Sequence, residues 1–421
     1  MKSVIPQSGR RVVVIGGGPA GLMAALAAAE SGARVILVER QPLAGRKLAA
    51  TGGGRCNLTN ALDPETFMLR FGPQGRFMGP ALARFGRDQL LAWMRDAGVP
   101  CETTDGFHYF PASQRALDVT HALLNRLQAR GVELRLNAEA ESLEIGSGQV
   151  RGVRLNGSVL PADAVIVAAG GAAWPSLGGC SRGYELARQA GHTIQEPAPA
   201  LTGLTSAEPW PTACAGVTLP DTEAWIDLPA RRKTVWRGTL LFTHAGLSGP
   251  VILDLSGAVA VLLRDGAPVP LRLRALPDMA AADWKARFEA WRADRGRKSL
   301  RNCLDESLPH SLAQAACTCC AIEPEARASG LTAEARDRLA DWLAGMPVTI
   351  PDPPGFSRAM VTRGGVTLRE VNPKTLESRL AKGLFWAGEV LDLDGPCGGY
   401  NLQWAFSSGR LAGETAAGSA S

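Results

Sequence analysis

Apolar residues 11–15, "RVVVI", make a short run that ends in the glycine cluster "GGGPAG". A small-residue stretch, "LMAALAAAESG", comes next, and then a second apolar run, "ARVILVER". Runs of this length separated by glycine turns predict strand, helix, strand, the unit of a parallel sheet. Helical periodicity appears in "RDQLLAWMRDAG" and "LDVTHALLNRLQARG". Strand patterning then fills "VELRLNAEAESLEI", "QVRGVRLNG" and "SVLPADAVIVAAGG", a three-stranded excursion returning to the buried run "AVIVAAGG".

The pattern changes near residue 193. From about 195 to 275 it predicts short strands at "WIDLP", "TLLFTHAG", "VILDLSG" and "VPLRLRAL", broken by proline and glycine as in a small β-barrel or sandwich. Residues 278–345 read as helical: "AAADWKARFEAWRADRG", "LRNCLDESLPHSLAQAACTCC" and "TAEARDRLADWLAG". A strand and loop, "LFWAGEVLDLDG", and a terminal helix, "YNLQWAFSSGRLAGETAA", complete the chain.

A length of 421 residues predicts two or three domains. The net charge of +5 permits an anionic ligand without arguing for nucleic acid. Nine cysteines, an odd number without paired spacing, read as free thiols in a reducing cytoplasm. The group Cys303, Cys317, Cys319 and Cys320 lies in a helical pattern rather than in zinc-type pairs, so no metal is expected. The N-terminal run imitates a secretory signal, but its spaced glycines fit a strand, turn and helix better. No segment is long and apolar enough to span a bilayer.

The chemistry begins at Gly16, Gly18 and Gly21, a G-x-G-x-x-G turn between strand and helix, with Pro19 and Ala20 inside it. The first glycine permits the turn, the second lets backbone approach a pyrophosphate, and the third lets helix and strand pack closely. Glu39, followed by Arg40, ends the second strand, where a carboxylate can accept from a ribose diol; this favours FAD or NAD over NADP. A second glycine-rich, cationic stretch, "GRKLAATGGGRCNLTN", follows closely. Arg46 and Lys47 are candidates for phosphate contacts. Thr51 leads into Gly52, Gly53 and Gly54, a loop able to lie flat on a flavin ring, and Arg55, Cys56 and Asn57 offer donors at its polar edge. NAD has no need of such a loop, so FAD is the reading. Ala169 and Gly170 end a buried strand where backbone can pass the cofactor, and Gly388-Glu389 end another, placed for the ribityl chain. Gly399, Tyr400, Asn401 and Leu402 open the final helix, with amides directed at the ring.

Four segments, "VVVIGGGPAGL", "GRKLAATGGGRCNLTN", "LFTHAGLSGPVILDLS" and "GLFWAGEVLDLDGPCGGYNLQWAFSSGRLAG", resemble the YhiN/BaiN-like family of FAD-dependent oxidoreductases, some described as aminoacetone oxidases. The resemblance implies an α/β protein: a glutathione-reductase-like FAD-binding Rossmann domain interrupted by a β-barrel and a small helical insert. On that reading residues 1–194 and 351–421 form the FAD domain, 195–277 and 346–360 the barrel (overlapping the return to the FAD domain), and 278–345 the helical insert. The barrel is expected to cover the flavin.

There is no second G-x-G-x-x-G and no C-x₄-C redox pair, which excludes a two-nucleotide disulfide reductase. Cys56 is a redox candidate or simply a small residue. His244 is the candidate for proton transfer or a structural histidine of a barrel strand, and Tyr400 either touches flavin and substrate or packs the last helix. Three readings stay open. The first is a cytoplasmic flavoenzyme moving a hydride between flavin and a small amine, amino ketone or enone, reoxidised by O₂ or supplied by NAD(P)H. The second is an RNA-modifying flavoenzyme, using the basic stretches "PARRKTVWRG" and "RADRGRKSLR". The third is a flavin-binding sensor without turnover. A small-molecule partner is expected, with no stable nucleic-acid partner and no membrane.

Overall fold

The computed structural model describes residues 9–229 and 234–418. The chain divides into two compact units, residues 1–198 with 361–421, and residues 199–360.

The first unit is built on five parallel strands: β1 (Arg11–Ile15), β2 (Arg34–Val38), β3 (Glu133–Arg135), β4 (Ala164–Val167) and β5 (Leu384–Trp386), in the order β5-β4-β1-β2-β3. The β4 run is buried at every position, which is why it reads as continuous apolar sequence rather than alternation. Helix α1 (Pro19–Glu30) connects β1 to β2, and its low amphipathicity has a structural cause: Ala20 through Ala28 are all buried. It packs on the C-terminal helix α3 (Tyr400–Ala416) with backbones nearly touching. A Cβ at Gly409 would lie 2.3 Å from Ala20 O, and one at Gly413 would lie 2.3 Å from Ala24 O. The expected three-stranded excursion is an antiparallel sheet of Ala140–Gly146, Gln149–Leu155 and Ser158–Pro161.

The second unit holds an antiparallel five-stranded sheet in the order Gly246–Ser248, Val235–Thr243, Thr218–Ile226, Val269–Arg274, Met346–Ile350. Its two edges are bridged by one segment: Leu204 pairs with Leu247, and Ala207 N donates to Thr349 O at 2.9 Å. One apolar core runs through this sheet and the helices Ala281–Asp294, Leu300–Leu304, His310–Cys319 and Ala333–Ala344.

Two elements differ from the sequence expectation. "VILDLSG" is not a strand but part of the helix Pro250–Leu262, a mostly apolar stretch whose 13 residues are too many for a strand and whose Pro250 stands at the first helical position. The long helix expected from residue 300 breaks before Pro309, which restricts the residue ahead of it and begins a new helix at His310. Cys317 and Cys319 do lie on that helix; burial pushes the Cys317 thiol up to about 11 and the Cys320 thiol up to about 12.

Candidate functional site

Ile15, Val38, Val167 and Trp386 are the last residues of their strands, and they stand in register across the sheet. The parallel strands therefore deliver Gly16–Gly21, Glu39–Gln41, Ala168–Gly171 and Ala387–Glu389 to one edge, the edge where open α/β sheets bind ligands.

In the first turn Gly16 has φ +104°, and a Cβ there would sit 2.4 Å from Ala168 O. A Cβ at Gly21 would lie 1.8 Å from Gly16 O, so Gly21 is required by helix–strand packing. Gly18 is different: it caps α1 in extended geometry ahead of Pro19, and a Cβ there would meet nothing within 4 Å. Ala20 is buried and packs against Gly388, where a Cβ would lie 2.7 Å from its methyl.

Glu39 holds the turn. Its Oε2 accepts from Gly17 N at 2.6 Å and its Oε1 from Gln41 N at 2.7 Å, and each oxygen retains room for a second donor. Arg40 donates to Gly178 O at 3.0 Å. Arg46 donates to Gln41 Oε1 at 2.6 Å and Ser176 O at 3.1 Å, so its guanidinium is engaged by the protein. Lys47 pairs with Glu389 Oε2 at 2.8 Å, while Glu389 Oε1 accepts from Thr362 N at 2.9 Å.

The second glycine stretch, read as a loop, begins instead as helix α2 (Arg46–Gly54) and leaves helical geometry at Thr51. Gly52, Gly53 and Gly54 then take φ of +58°, +67° and +86°, three successive left-handed residues that few other side chains tolerate. A Cβ at Gly53 or Gly54 would meet nothing within 4 Å. The return is tied by Cys56 N, donating to Thr51 O at 3.0 Å. Cys56 is fully buried, and that burial pushes its thiol up to about 12, which suits a small packing residue rather than a nucleophile. Arg55 stacks over Phe110, 4.9 Å from the ring centroid. With its amide oriented to pair both atoms, Asn57 donates to Thr59 O at 3.1 Å and accepts from Gly399 N at 3.3 Å.

Ala169 and Gly170 follow β4; Gly170 has φ +70° with open space above it. Gly399 caps α3 at φ +83°, pressed against the Thr59 backbone. Tyr400 is buried in an aromatic group with Phe67 and Phe71, centroids at 5.0 and 6.1 Å, the packing role of its two readings. Asn401 pins the preceding loop, accepting from Gly395 N and donating to Gly395 O, both at 2.9 Å. Leu402 is half-buried on the first turn of α3. All these residues belong to the first unit. His244 belongs to the second, exposed in the turn between strands Val235–Thr243 and Gly246–Ser248 rather than in a strand.

Sequence reasoning missed Thr362, which holds both Glu389 and Ala173 N, because no local pattern links positions 189 residues apart. It also missed Asp105 and His108, although Asp-Gly before a short strand was available as a turn signal.

This arrangement defines a Rossmann-type protein with its ligand edge completed by a second glycine-rich segment. A family model described as "HI0933-like protein Rossmann domain" matches residues 10–415. The chain is 35% identical over 97% of its length to the 3-dehydro-bile acid delta(4,6)-reductase of Clostridium scindens, covering 99% of that protein. It is 31% identical to the ribosomal RNA dihydrouridine synthase of Escherichia coli, covering 94% of this chain and 95% of that one. The solved 3-ketosteroid-delta4-(5alpha)-dehydrogenase of Rhodococcus jostii shares the fold at TM-score 0.51 and 16% identity, over 99% of both chains. The chain belongs to the HI0933-like family and is an oxidoreductase. Among the described residues no helix is long and apolar enough to cross a membrane.

Proposed function

We propose that this protein is an FAD-dependent reductase of a carbon–carbon double bond conjugated to a carbonyl group. The observation that carries the reading is the open cradle at the sheet edge. Gly18 and Gly170 follow the ends of β1 and β4, Gly53 and Gly54 lie in the second glycine segment, and a Cβ at any of the four would meet no protein atom within 4 Å. FAD fits this shape. Gly18, Pro19 and Ala20 at the α1 N-terminus would take the pyrophosphate, and Glu39 the adenosine ribose. Lys47 and Glu389 would flank the ribityl chain, and Gly52 to Asn57 would lie along the ring. The α3 N-terminus would place its dipole toward negative charge on the ring. Bound FAD would supply the hydride chemistry; the chain supplies position and field.

The substrate class draws on three full-length relatives, one named as a bile acid reductase and two as ribosomal RNA dihydrouridine synthases. Their names describe different molecules with one shared feature, an electron-poor double bond conjugated to a carbonyl. An RNA substrate is favoured by two full-length relatives, the ribosomal RNA dihydrouridine synthases of Escherichia coli and Haemophilus influenzae. Of the basic stretches, residues 230–233 lie outside the described residues. In the other, Arg295 and Lys298 share Glu306 and Arg301 pairs with Glu325, so three of its cations already have protein partners. A small enone is therefore the substrate we put forward, with NAD(P)H as electron donor and the cytoplasm, which keeps thiols reduced, as the compartment.

The test is direct. The purified protein should be yellow and release FAD on heating. Its anaerobically reduced flavin should be reoxidised by 2-cyclohexen-1-one faster than by unmodified ribosomal RNA. A colourless protein, release of FMN, or reoxidation by O₂ alone would overturn the proposal.

A further inference from the structure

Asp105 and His108 form a carboxylate–imidazole pair, with Asp105 Oδ2 2.6 Å from His108 Nδ1. The carboxylate is itself fixed. Its Oδ1 accepts from Phe107 N at 2.9 Å and His108 N at 2.8 Å. The hydrogen bond from His108, followed by these backbone bonds, holds the Asp105 carboxyl far below the usual carboxylate range. An ionised carboxylate only accepts, so Nδ1 carries a proton and donates it, which leaves Nε2 as the ring nitrogen outside this pair.

Nε2 faces the loop that leads into α3. A Cβ at Gly398 would lie 3.2 Å from Nε2, so the missing side chain leaves that nitrogen its space. Asn60, the register partner of His108, donates to Gly398 O at 2.9 Å and fixes the loop beside the imidazole. The same strand carries Phe110, which touches the glycine run (3.7 Å from a Cβ at Gly52) and supports Arg55. The imidazole therefore stands between the left-handed glycines and the N-terminus of α3, with its side chain 34% exposed. By contrast His192 has both ring nitrogens engaged, by Glu370 at 3.1 Å and Ser378 at 2.7 Å. The other charged or titratable groups on the elements around His108 include Arg55, Cys56, Arg87 (which holds Ala61 O), Cys101, Glu102, Tyr109, Cys397 and Tyr400.

We infer that His108 is the proton donor of the reaction and that Asp105 is its positioning residue, an inference that rests on the conjugated-alkene reading above. The double bond receives a hydride at its β-carbon from the reduced flavin and a proton at its α-carbon from Nε2. One C–H bond forms at each carbon and the π bond is lost. Bound FAD would supply the hydride's two electrons and would need a nicotinamide donor to restore them, while the imidazole regains its proton from water.

Two readouts test this. In the apo-protein, ¹⁵N NMR should show His108 as the Nδ1–H tautomer, and Asp105→Asn should redistribute it toward Nε2–H. In the FAD-loaded protein, anaerobic stopped-flow oxidation of the reduced flavin by 2-cyclohexen-1-one should slow by about 10²–10⁴-fold in His108→Gln. The wild-type rate should fall toward alkaline pH, the sign expected of a proton donor, and the variant should lose that dependence. Asp105→Asn should slow the same step while retaining FAD, and it decides the question if His108→Gln loses its cofactor. A His108→Gln variant within twofold of wild type, with the same pH profile, overturns the inference. A wild-type enzyme that reduces no enone overturns the functional reading instead.

Discussion

The two glycine-rich segments of the first unit look alike in sequence and differ in what they require. In the first turn, Gly16 and Gly21 answer to the protein itself: a side chain at either would enter backbone, at 2.4 Å from Ala168 O and 1.8 Å from Gly16 O. Only Gly18 faces open space, and its φ of −77° would suit any residue. In the second segment Gly53 and Gly54 face open space and also take left-handed φ. A glycine can therefore be demanded by packing, by backbone conformation, or by something outside the chain. Substitutions separate the three.

The largest effect should come from Gly21→Val, whose branched side chain must displace backbone at the centre of the unit. Roughly 3 kcal/mol or more of stability should be lost, at the upper end of overpacking costs. Gly18→Val should cost about 1 kcal/mol, the difference between a good and a poor helix cap, yet abolish flavin retention. Thermal unfolding of the apo-proteins and flavin content after purification check both. If Gly18→Val keeps full FAD occupancy, the open space at the α1 N-terminus is not the pyrophosphate site.

Gly53→Ala and Gly54→Ala should each cost about 1–2 kcal/mol, because an L-residue pays that much for left-handed backbone. Asparagine tolerates this region better, so Gly53→Asn should recover stability. If the ring lies against this run, Gly53→Asn should still bind FAD weakly although the fold is restored. Full affinity in a stable Gly53→Asn protein would show that conformation alone selects glycine here.

The parallel sheet was legible because its evidence is local: short apolar runs, glycine turns and a buried alanine helix lie within some thirty residues of one another. The family pieces and the chain segments at the sheet edge could be read for the same reason. What was not legible depends on distant partners. Nothing near Lys47 announces Glu389, and nothing near Arg46 announces Ser176 O, so both cations were assigned to phosphates when the fold gives each a protein partner. The segment "VILDLSG" of the helix Pro250–Leu262 was read as a strand because a short, mostly apolar run does not show the periodicity that tells the two apart. His108 was overlooked because its meaning lies in a short ladder with Asn60 and in the bare Gly398 beside it, both remote in sequence or invisible as pattern.

The Lys47–Glu389 pair sharpens the comparison at smaller amplitude, since it ties the second glycine segment to the end of β5. Both side chains are about a fifth exposed, so the pair is partly screened. Lys47→Met or Glu389→Gln should each cost about 1 kcal/mol of apo stability, between the values for surface and buried pairs. A double-mutant cycle by denaturant unfolding measures the coupling. Lys47→Met should also weaken FAD binding more than Glu389→Gln does, because only the first removes a cation from the cradle. Equal loss of affinity would mean that the pair matters only as a brace.

The smallest effect concerns how the second segment closes. Burial disfavours the Cys56 thiolate and pushes its thiol up from the ordinary value of 9.0 to about 12 in the folded protein. Cys101, whose electrostatic contribution also raises Cys56, is pushed up to about 12 by its own burial. A folded-state value above the unfolded one leaves stability intact below pH 9.0 and removes it progressively as the pH rises toward 12. The unfolded chain releases these protons first, so alkali favours unfolding. Urea titrations at increasing pH should show this loss beginning near the ordinary thiol value of 9.0, and Cys56→Ala should flatten the limb while leaving stability at pH 7 lower by its cavity cost. Iodoacetamide should label exposed Cys319 well before Cys56 at mildly alkaline pH. Rapid native-state labelling of Cys56 would instead mark it as an activated thiol, and the closure of the second glycine segment would then belong with the chemistry rather than with the packing.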